Sequence, residues 1–186
     1  MAIEGASLAE AAHELCDHFN SVLCRTITQV RLQPIIVKGD PFATVSFRRE
    51  GKIATASLET RYGRLELYLL QRCSSVEKNS RHVLRTERYR YALSLSPELE
   101  PLFRWEYTRA PEPGNQHRRH HVHLDTAINV HGYMLSLKDL HVSTGYVPFE
   151  EVIRFCIVEL GAPPLKENWE EVLERSYQSF KFDFTR

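Results

Sequence analysis

The sequence predicts an α+β fold, with a mainly antiparallel, curved sheet of about seven strands, one N-terminal helix and two C-terminal helices. Two observations support this prediction. Apolar residues recur at helical spacing near both ends of the chain, whereas they alternate with polar residues through its middle. The connections between the alternating segments are too short for the crossover helices that parallel strands need, so neighbouring strands should run antiparallel.

The first predicted element is an amphipathic helix over residues 8–24. Ser7 followed by Glu10 has the spacing of a capping box, in which each residue satisfies a free amide of the first turn. Apolar residues between Leu8 and Leu23 then recur every three or four positions, which indicates one buried helical face.

Strands follow where the period changes to two. Pro34 interrupts the first of them, and Glu50-Gly51 offers a hairpin turn. The predicted strands cover residues 28–37, 42–49, 53–59, 64–72, 83–95, 102–109 and 119–125, and residues 127–134 are expected to continue the sheet. Residues 73–82 are polar and predict a mobile loop.

Two helices close the chain. Pro148 suits a first helical turn and Gly161 a helix end, which predicts a helix over residues 148–160. A second helix is predicted over residues 166–178, and the aromatic tail at residues 180–184 alternates as an edge strand would. With no repeat and no boundary signal, we expect a single domain over residues 1–186.

Composition limits the class of protein. With 42% hydrophobic and 26% charged residues, the chain is expected to fold, and its net charge of zero excludes a globally basic nucleic-acid protein. An apolar run long enough to span a membrane is absent, as is a signal peptide, so no membrane partner is expected. The four cysteines lack metal-site spacing and predict reduced thiols in a cytoplasmic protein.

The most informative stretch runs from Gln116 to Asp125, where histidines and arginines lead into an alternating apolar pattern. In a strand, Arg119, His121, His123 and Asp125 share one face and His120 lies on the other. If the segments 86–95 and 102–109 are neighbours in the sheet, their polar faces add Arg88, Arg90, Arg104 and Glu106 to the same surface.

This surface predicts metal-independent cleavage of RNA, with RNA as a partner and without a cofactor. Histidine suits both proton transfers because its pKa lies near neutrality, and arginine matches the oxygens of a phosphate. The expected catalytic residues are His121, His123 and Glu106. The expected substrate-binding residues are Arg104, Arg119, Arg88, Arg90 and His120.

Other interpretations stay open at this point. A metal-dependent hydrolase could use His121 and His123 with Asp125 or Glu106 as a further ligand, although the arginines would repel a cation. Asp139 and His141 form a further pair on one strand face. Alternatively, the surface belongs to a non-catalytic module that binds a nucleotide or a partner protein, or it is simply a solvated sheet face.

The order of these motifs resembles the TumE-like proteins of bacterial toxin–antitoxin loci. Tyr89-Arg90-Tyr91 is followed by Leu-Phe-Arg-Trp-Glu-Tyr at 102–107, a Pro-bearing loop and His-His-Val-His at 120–123. The resemblance implies a small cytosolic ribonuclease toxin neutralised by a small antitoxin protein, in a toxin–antitoxin or phage-defence setting. It would assign the site to Arg104, Glu106, His120, His121 and His123. Glu106 stands where that family has Asp, and the strands before residue 83 are additional.

Overall fold

A large antiparallel sheet forms the centre of the structure, a computed structural model that describes residues 3–111, 119–131, 133–137 and 140–180. The elements are β1 (Glu4–Gly5), α1 (Leu8–Thr26), β2 (Leu32–Ile36), β3 (Phe42–Arg49), β4 (Lys52–Ile53), β5 (Ala56–Thr60), β6 (Gly63–Lys78), β7 (Arg81–Ser94), β8 (Phe103–Thr108), β9 (His120–Leu124), β10 (Ala127–Val130), β11 (Tyr133–Ser136), β12 (His141–Ser143), α2 (Phe149–Val158) and α3 (Trp169–Phe180). The α+β class and the positions of the three helices are confirmed. Within the described ranges, no helix is both long and apolar enough to cross a bilayer.

The main sheet follows the path β12-β9-β8-β7-β6-β3-β2, with antiparallel pairing at every step. The short strands β1, β4 and β5 attach to β7, β3 and β6. Pro34 lies in β2, at the end of this path, where the amide that proline lacks is not needed for a second partner strand. Among the described residues, the strands β10 and β11 pair with each other and not with the main sheet, so the prediction that residues 127–134 continue that sheet is wrong.

The hairpin of β6 and β7 corrects the predicted mobile loop at residues 73–82. These residues continue both strands, and the register runs from Cys73 opposite Thr86 to Lys78 opposite Arg81. The chain reverses at Asn79 and Ser80, which both have positive φ, 51° and 60°. Two consecutive residues of this kind form the turn that suits the twist of a two-residue hairpin.

Capping and burial fix α1 on the sheet. The Ser7 hydroxyl accepts a hydrogen bond from the Glu10 amide at 3.1 Å, and the Glu10 carboxylate accepts one from the Ala6 amide at 2.6 Å. The apolar side of the helix packs into one continuous core with α2, α3 and the sheet. The helix continues to Thr26, two residues beyond the predicted end.

The C-terminal helices differ slightly from their predicted bounds. Pro148 is the N-terminal cap of α2, and α3 begins at Trp169, three residues later than predicted. The predicted edge strand at residues 180–184 lies outside the described residues, apart from Phe180 at the end of α3. All four cysteines are free thiols.

The two faces of the sheet differ in character. Tyr89, Tyr91 and Trp105 are buried on the face that carries the helices, and Trp105 packs edge-on against Phe155 of α2. Because side chains alternate along a strand, the neighbours of these three residues in β7 and β8 belong to the opposite face. This opposite surface of β7, β8, β9 and β12 is called the polar face below.

Candidate functional site

Strand register brings the predicted site together on the polar face. In the pairing of β8 with β9, Glu106 lies opposite His121 and Arg104 lies opposite His123. In the pairing of β7 with β8, Arg90 lies opposite Glu106. Residues that face one another across antiparallel strands have their Cβ atoms about 5 Å apart, so these five side chains meet without any loop to position them.

The Glu106 carboxylate is the centre of this group. Its Oε1 accepts a hydrogen bond from Nε of Arg90 at 2.5 Å, and its Oε2 lies 3.5 Å from Nε of Arg104. The same Oε2 is 3.2 Å from Nε2 of His123 and 3.6 Å from Nε2 of His121. The Glu106 side chain is only 15% exposed, so water screens these contacts weakly.

This environment changes the proton affinity of two groups. Burial raises the pKa of Glu106, but the charges of Arg90 and Arg104 outweigh it and hold the pKa below its usual value. Burial, assisted by Arg104 and His141, lowers the pKa of His123 to about 4. Near neutral pH, Glu106 is therefore an anion and His123 a neutral imidazole, which has a lone pair available.

A third histidine completes the group. His141 in β12 pairs with His123 in β9, and their ring centroids are 4.2 Å apart. The ring of His121 lies 4.8 Å from that of His123 and 5.4 Å from that of His141. One nitrogen from each ring lies within 4.8 Å of the others, an arrangement that could hold a metal ion. These three residues form the three-histidine cluster.

One buried nitrogen of the cluster lacks a hydrogen-bond partner among the described residues. Nε2 of His123 is buried and makes no hydrogen bond to any residue that the structure describes, although it lies 3.2 Å from Oε2 of Glu106. A buried polar atom without a partner costs about 1–3 kcal/mol unless something else satisfies it. A metal ion held jointly with the other two histidines would do so.

No family model, curated protein or solved structure matches the chain. The resemblance to TumE-like proteins thus stays a prediction. Because one fold can support many activities, the evidence for function lies in the side chains of the site.

Three of the predicted binding residues lie away from this centre. Arg88 is on the polar face but pairs with Arg72 and Thr108, one step along β7 from Arg90. Arg119 precedes β9 and is exposed. His120 faces the helices instead, where its ring stacks on Tyr107 at 4.5 Å. His120 therefore does not share a surface with the predicted phosphate-binding arginines.

The alternative set of metal ligands also changes. Asp125 follows the end of β9 and is not a member of the cluster found among the described residues, where His141 supplies the third nitrogen. Asp139, which the sequence pairs with His141, lies outside the described residues. The signal for His141 was its same-face pattern, but a strand of three residues gives little periodicity from which to place it.

The chemistry available to these groups follows from their types. Three imidazoles suit a divalent transition metal and leave a further coordination position for water or substrate. The Glu106 carboxylate lies between the cluster and the two guanidiniums, so it reduces the repulsion that the arginines would otherwise exert on a cation. Arg90 and Arg104 supply donors suited to an anionic substrate on the same face.

Proposed function

We propose that this protein is a metal-dependent hydrolase of phosphate esters, with a divalent transition metal such as zinc held by His121, His123 and His141. The observation that carries the proposal is the convergence of three imidazole nitrogens within 4.8 Å of one another. Nε2 of His123, buried and without a hydrogen bond among the described residues, supports it independently. An acid and a base that cleave RNA without a metal act on opposite sides of the phosphorus, whereas these nitrogens lie together, within 4.8 Å of one another.

Each chain group would have a distinct role in hydrolysis. A metal in this position supplies a site at which water loses a proton near neutral pH. Glu106, an anion beside the cluster, would accept that proton as the oxygen of water bonds to phosphorus. Arg104 and Arg90 would neutralise the charge on the phosphoryl oxygens. The bond from phosphorus to the leaving oxygen then breaks, and that oxygen takes up a proton from solvent.

Metal analysis tests the proposal directly. The purified chain should contain close to one equivalent of zinc, manganese or iron by elemental analysis. After dialysis against EDTA has removed the metal, the chain should take up one equivalent again when metal is added back. His121→Ala, His123→Ala and His141→Ala should each lower zinc affinity by about a hundredfold or more, since each removes one of three ligands. His82→Ala is the matched control, because His82 also lies on a strand but contacts Ser75 instead.

Activity should follow the metal. Hydrolysis of a fluorogenic RNA oligonucleotide and of bis(p-nitrophenyl) phosphate should disappear in EDTA and return when the metal is added back. Equal zinc binding by the wild type and the three histidine variants would refute the metal site. Stoichiometric metal without hydrolysis of either substrate would leave a metal-binding module rather than a hydrolase.

Metal-independent cleavage of RNA is the second candidate. It is favoured by the placement of two imidazoles and two guanidiniums around one carboxylate, which are the groups that such a reaction needs. In that case EDTA would leave RNA cleavage unchanged, while His121→Ala and His123→Ala would abolish it. Growth arrest on expression, relieved by a co-expressed neighbouring gene product, would support the toxin–antitoxin setting for either mechanism.

A further inference from the structure

A pocket of about 420 Å³ opens on the polar face beside the three-histidine cluster. Arg90, Ala92 and Arg104 from β7 and β8 form part of its floor, and the segment that joins these strands forms a wall. Its volume falls in the range of small-molecule sites. The two arginines are the same side chains that contact Glu106, so the pocket and the cluster adjoin one another.

Arg104 gives the pocket an affinity for anions. Its side chain is 25% exposed, and its closest charged contacts are long, 3.5 Å to Glu106 and 3.9 Å to Glu100. Nε of Arg104 is buried and donates no hydrogen bond to any part of the chain that the structure describes. A guanidinium has five donors in a planar fork, and an oxyanion with two or three oxygens can accept from several of them at once.

The rim of the pocket does not cancel this charge. Glu98 and Glu100 also line the pocket, but both are exposed, and the Glu98 carboxylate accepts a hydrogen bond from Ser96 at 2.9 Å. Exposed carboxylates are screened by water and salt, whereas the guanidinium on the floor is mostly removed from solvent. The anion-binding end of the pocket is thus its floor next to the cluster.

The other part of the pocket suits a planar ring. Tyr68 of β6 lies across from Ala92 on the same face, and Pro97, Leu99 and Pro101 supply an apolar wall. Burial raises the pKa of Tyr68, despite the opposing charges of Arg90 and Arg88, so its phenol stays neutral. An aromatic ring facing apolar side chains can stack a nucleobase without selecting one base over another.

We propose that this pocket binds a nucleotide unit, with the phosphate on Arg104 and Arg90 and the base against Tyr68. The inference rests on the proposed function, for which it specifies the substrate class. Because Arg104 lies opposite His123 in the sheet, a phosphate bound there is next to the cluster. A free nucleotide and a terminal nucleotide of RNA have the same chemistry, and the experiment separates them.

Calorimetric titration of the EDTA-treated full chain tests the pocket without the metal. The probes are AMP, adenosine, inorganic phosphate and an RNA tetranucleotide with a 5′-phosphate. AMP should bind at least about tenfold more tightly than adenosine or inorganic phosphate, since only AMP combines the charge-assisted contact with the stacked ring. Tetranucleotide affinity equal to or above that of AMP would identify an RNA end, and weaker binding would identify a free nucleotide.

Substitutions assign the two halves of the pocket. Arg104→Gln should weaken AMP binding about tenfold or more, and Tyr68→Ala about fivefold or more. The matched controls are Arg64→Gln and Tyr62→Ala, because these exposed side chains lie on or near β6 but outside the pocket. Circular dichroism melts should show that all four variants fold.

The outcomes separate this inference from the metal proposal. AMP binding that is absent, or that Arg104→Gln weakens no more than Arg64→Gln does, overturns the pocket even if zinc binds to the histidines. AMP binding that His123→Ala leaves intact, in a chain that takes up no zinc, supports the pocket and refutes the metal. Equal affinity for AMP and inorganic phosphate would overturn the assignment of the base to Tyr68.

Discussion

Replacing Glu106 with glutamine should destabilise the fold measurably, although the shape of the side chain is retained. The substitution removes a carboxylate that Arg90 and Arg104 contact together on the polar face. Breaking a fully buried ion pair costs about 3–5 kcal/mol. Here the arginines are 37% and 25% exposed, and solvent screening reduces the expected loss to about 1–2 kcal/mol at neutral pH.

Urea unfolding followed by circular dichroism measures this loss, and a double-mutant cycle assigns it. Arg90→Gln together with Glu106→Gln should cost less than the sum of the single changes by about 1 kcal/mol, because both remove the same pair. Glu59→Gln is the control, since its pair with Arg64 is largely exposed and should contribute within about 0.5 kcal/mol.

The pH dependence of the Glu106→Gln effect has a definite sign. The pKa of Glu106 is held below its usual value of 4.5 by Arg90 and Arg104, which outweigh burial. Its stabilising contribution is therefore complete above pH 4.5 and disappears as the pH falls through the lowered folded-state value. Wild type and variant should converge in acid. Equal stability at pH 7, or an additive cycle, would refute the view that Glu106 balances the arginines beside the cluster.

Three further predictions concern the scaffold and can be checked by urea or thermal unfolding. Ser80→Gly should stabilise the chain by about 0.5–1 kcal/mol, because Ser80 has a φ of 60° in the β6–β7 turn, and a loss of stability would contradict the assigned turn. Gly161→Ala should cost about 1–2 kcal/mol, since Gly161 has a φ of 69° and a Cβ would approach Nε of Arg61 to 2.8 Å; an unchanged melting point would contradict this. Burial lowers the pKa of His18 to about 4, so the unfolded chain binds a proton between pH 4 and 6.5 that the folded chain does not. Stability should thus fall as the pH drops from 6.5 towards 4, and His18→Gln should flatten that slope.

The sequence was sufficient to bring Glu106, His121 and His123 together. Their strands follow one another along the chain, and the two-residue period of the histidines fixes which side chains share a face. His141 could not be placed in the same way, because β12 has three residues and its partner is set by pairing across the sheet. The metal alternative drawn from the sequence therefore names Asp125 or Glu106 as the further ligand, and not His141.

The segment at residues 73–82 shows a different limit. Its composition is polar, and polar strands have weak intrinsic preferences that pairing with a neighbour can override. The relevant local signal was Asn79, a residue that tolerates positive φ, at the centre of two arms of similar length. Hydrophobicity alone does not predict these strands, because each of them is stabilised by pairing with the other.

Because His141 lies on the edge strand β12, its position has a consequence for dynamics. Among the described residues, β12 joins β9 through three residue pairs and one further hydrogen bond, from the Thr144 amide to the His120 carbonyl at 3.2 Å, so its pairing is short. A ligand that bridges His141 to His121 and His123 would act as a clip across the two strands, closing the chain segment that contains the β10–β11 hairpin. By mass action, binding of the ligand to the three histidines and pairing of β12 with β9 would then be coupled equilibria. Amide hydrogen exchange in β12 would then report directly on occupancy.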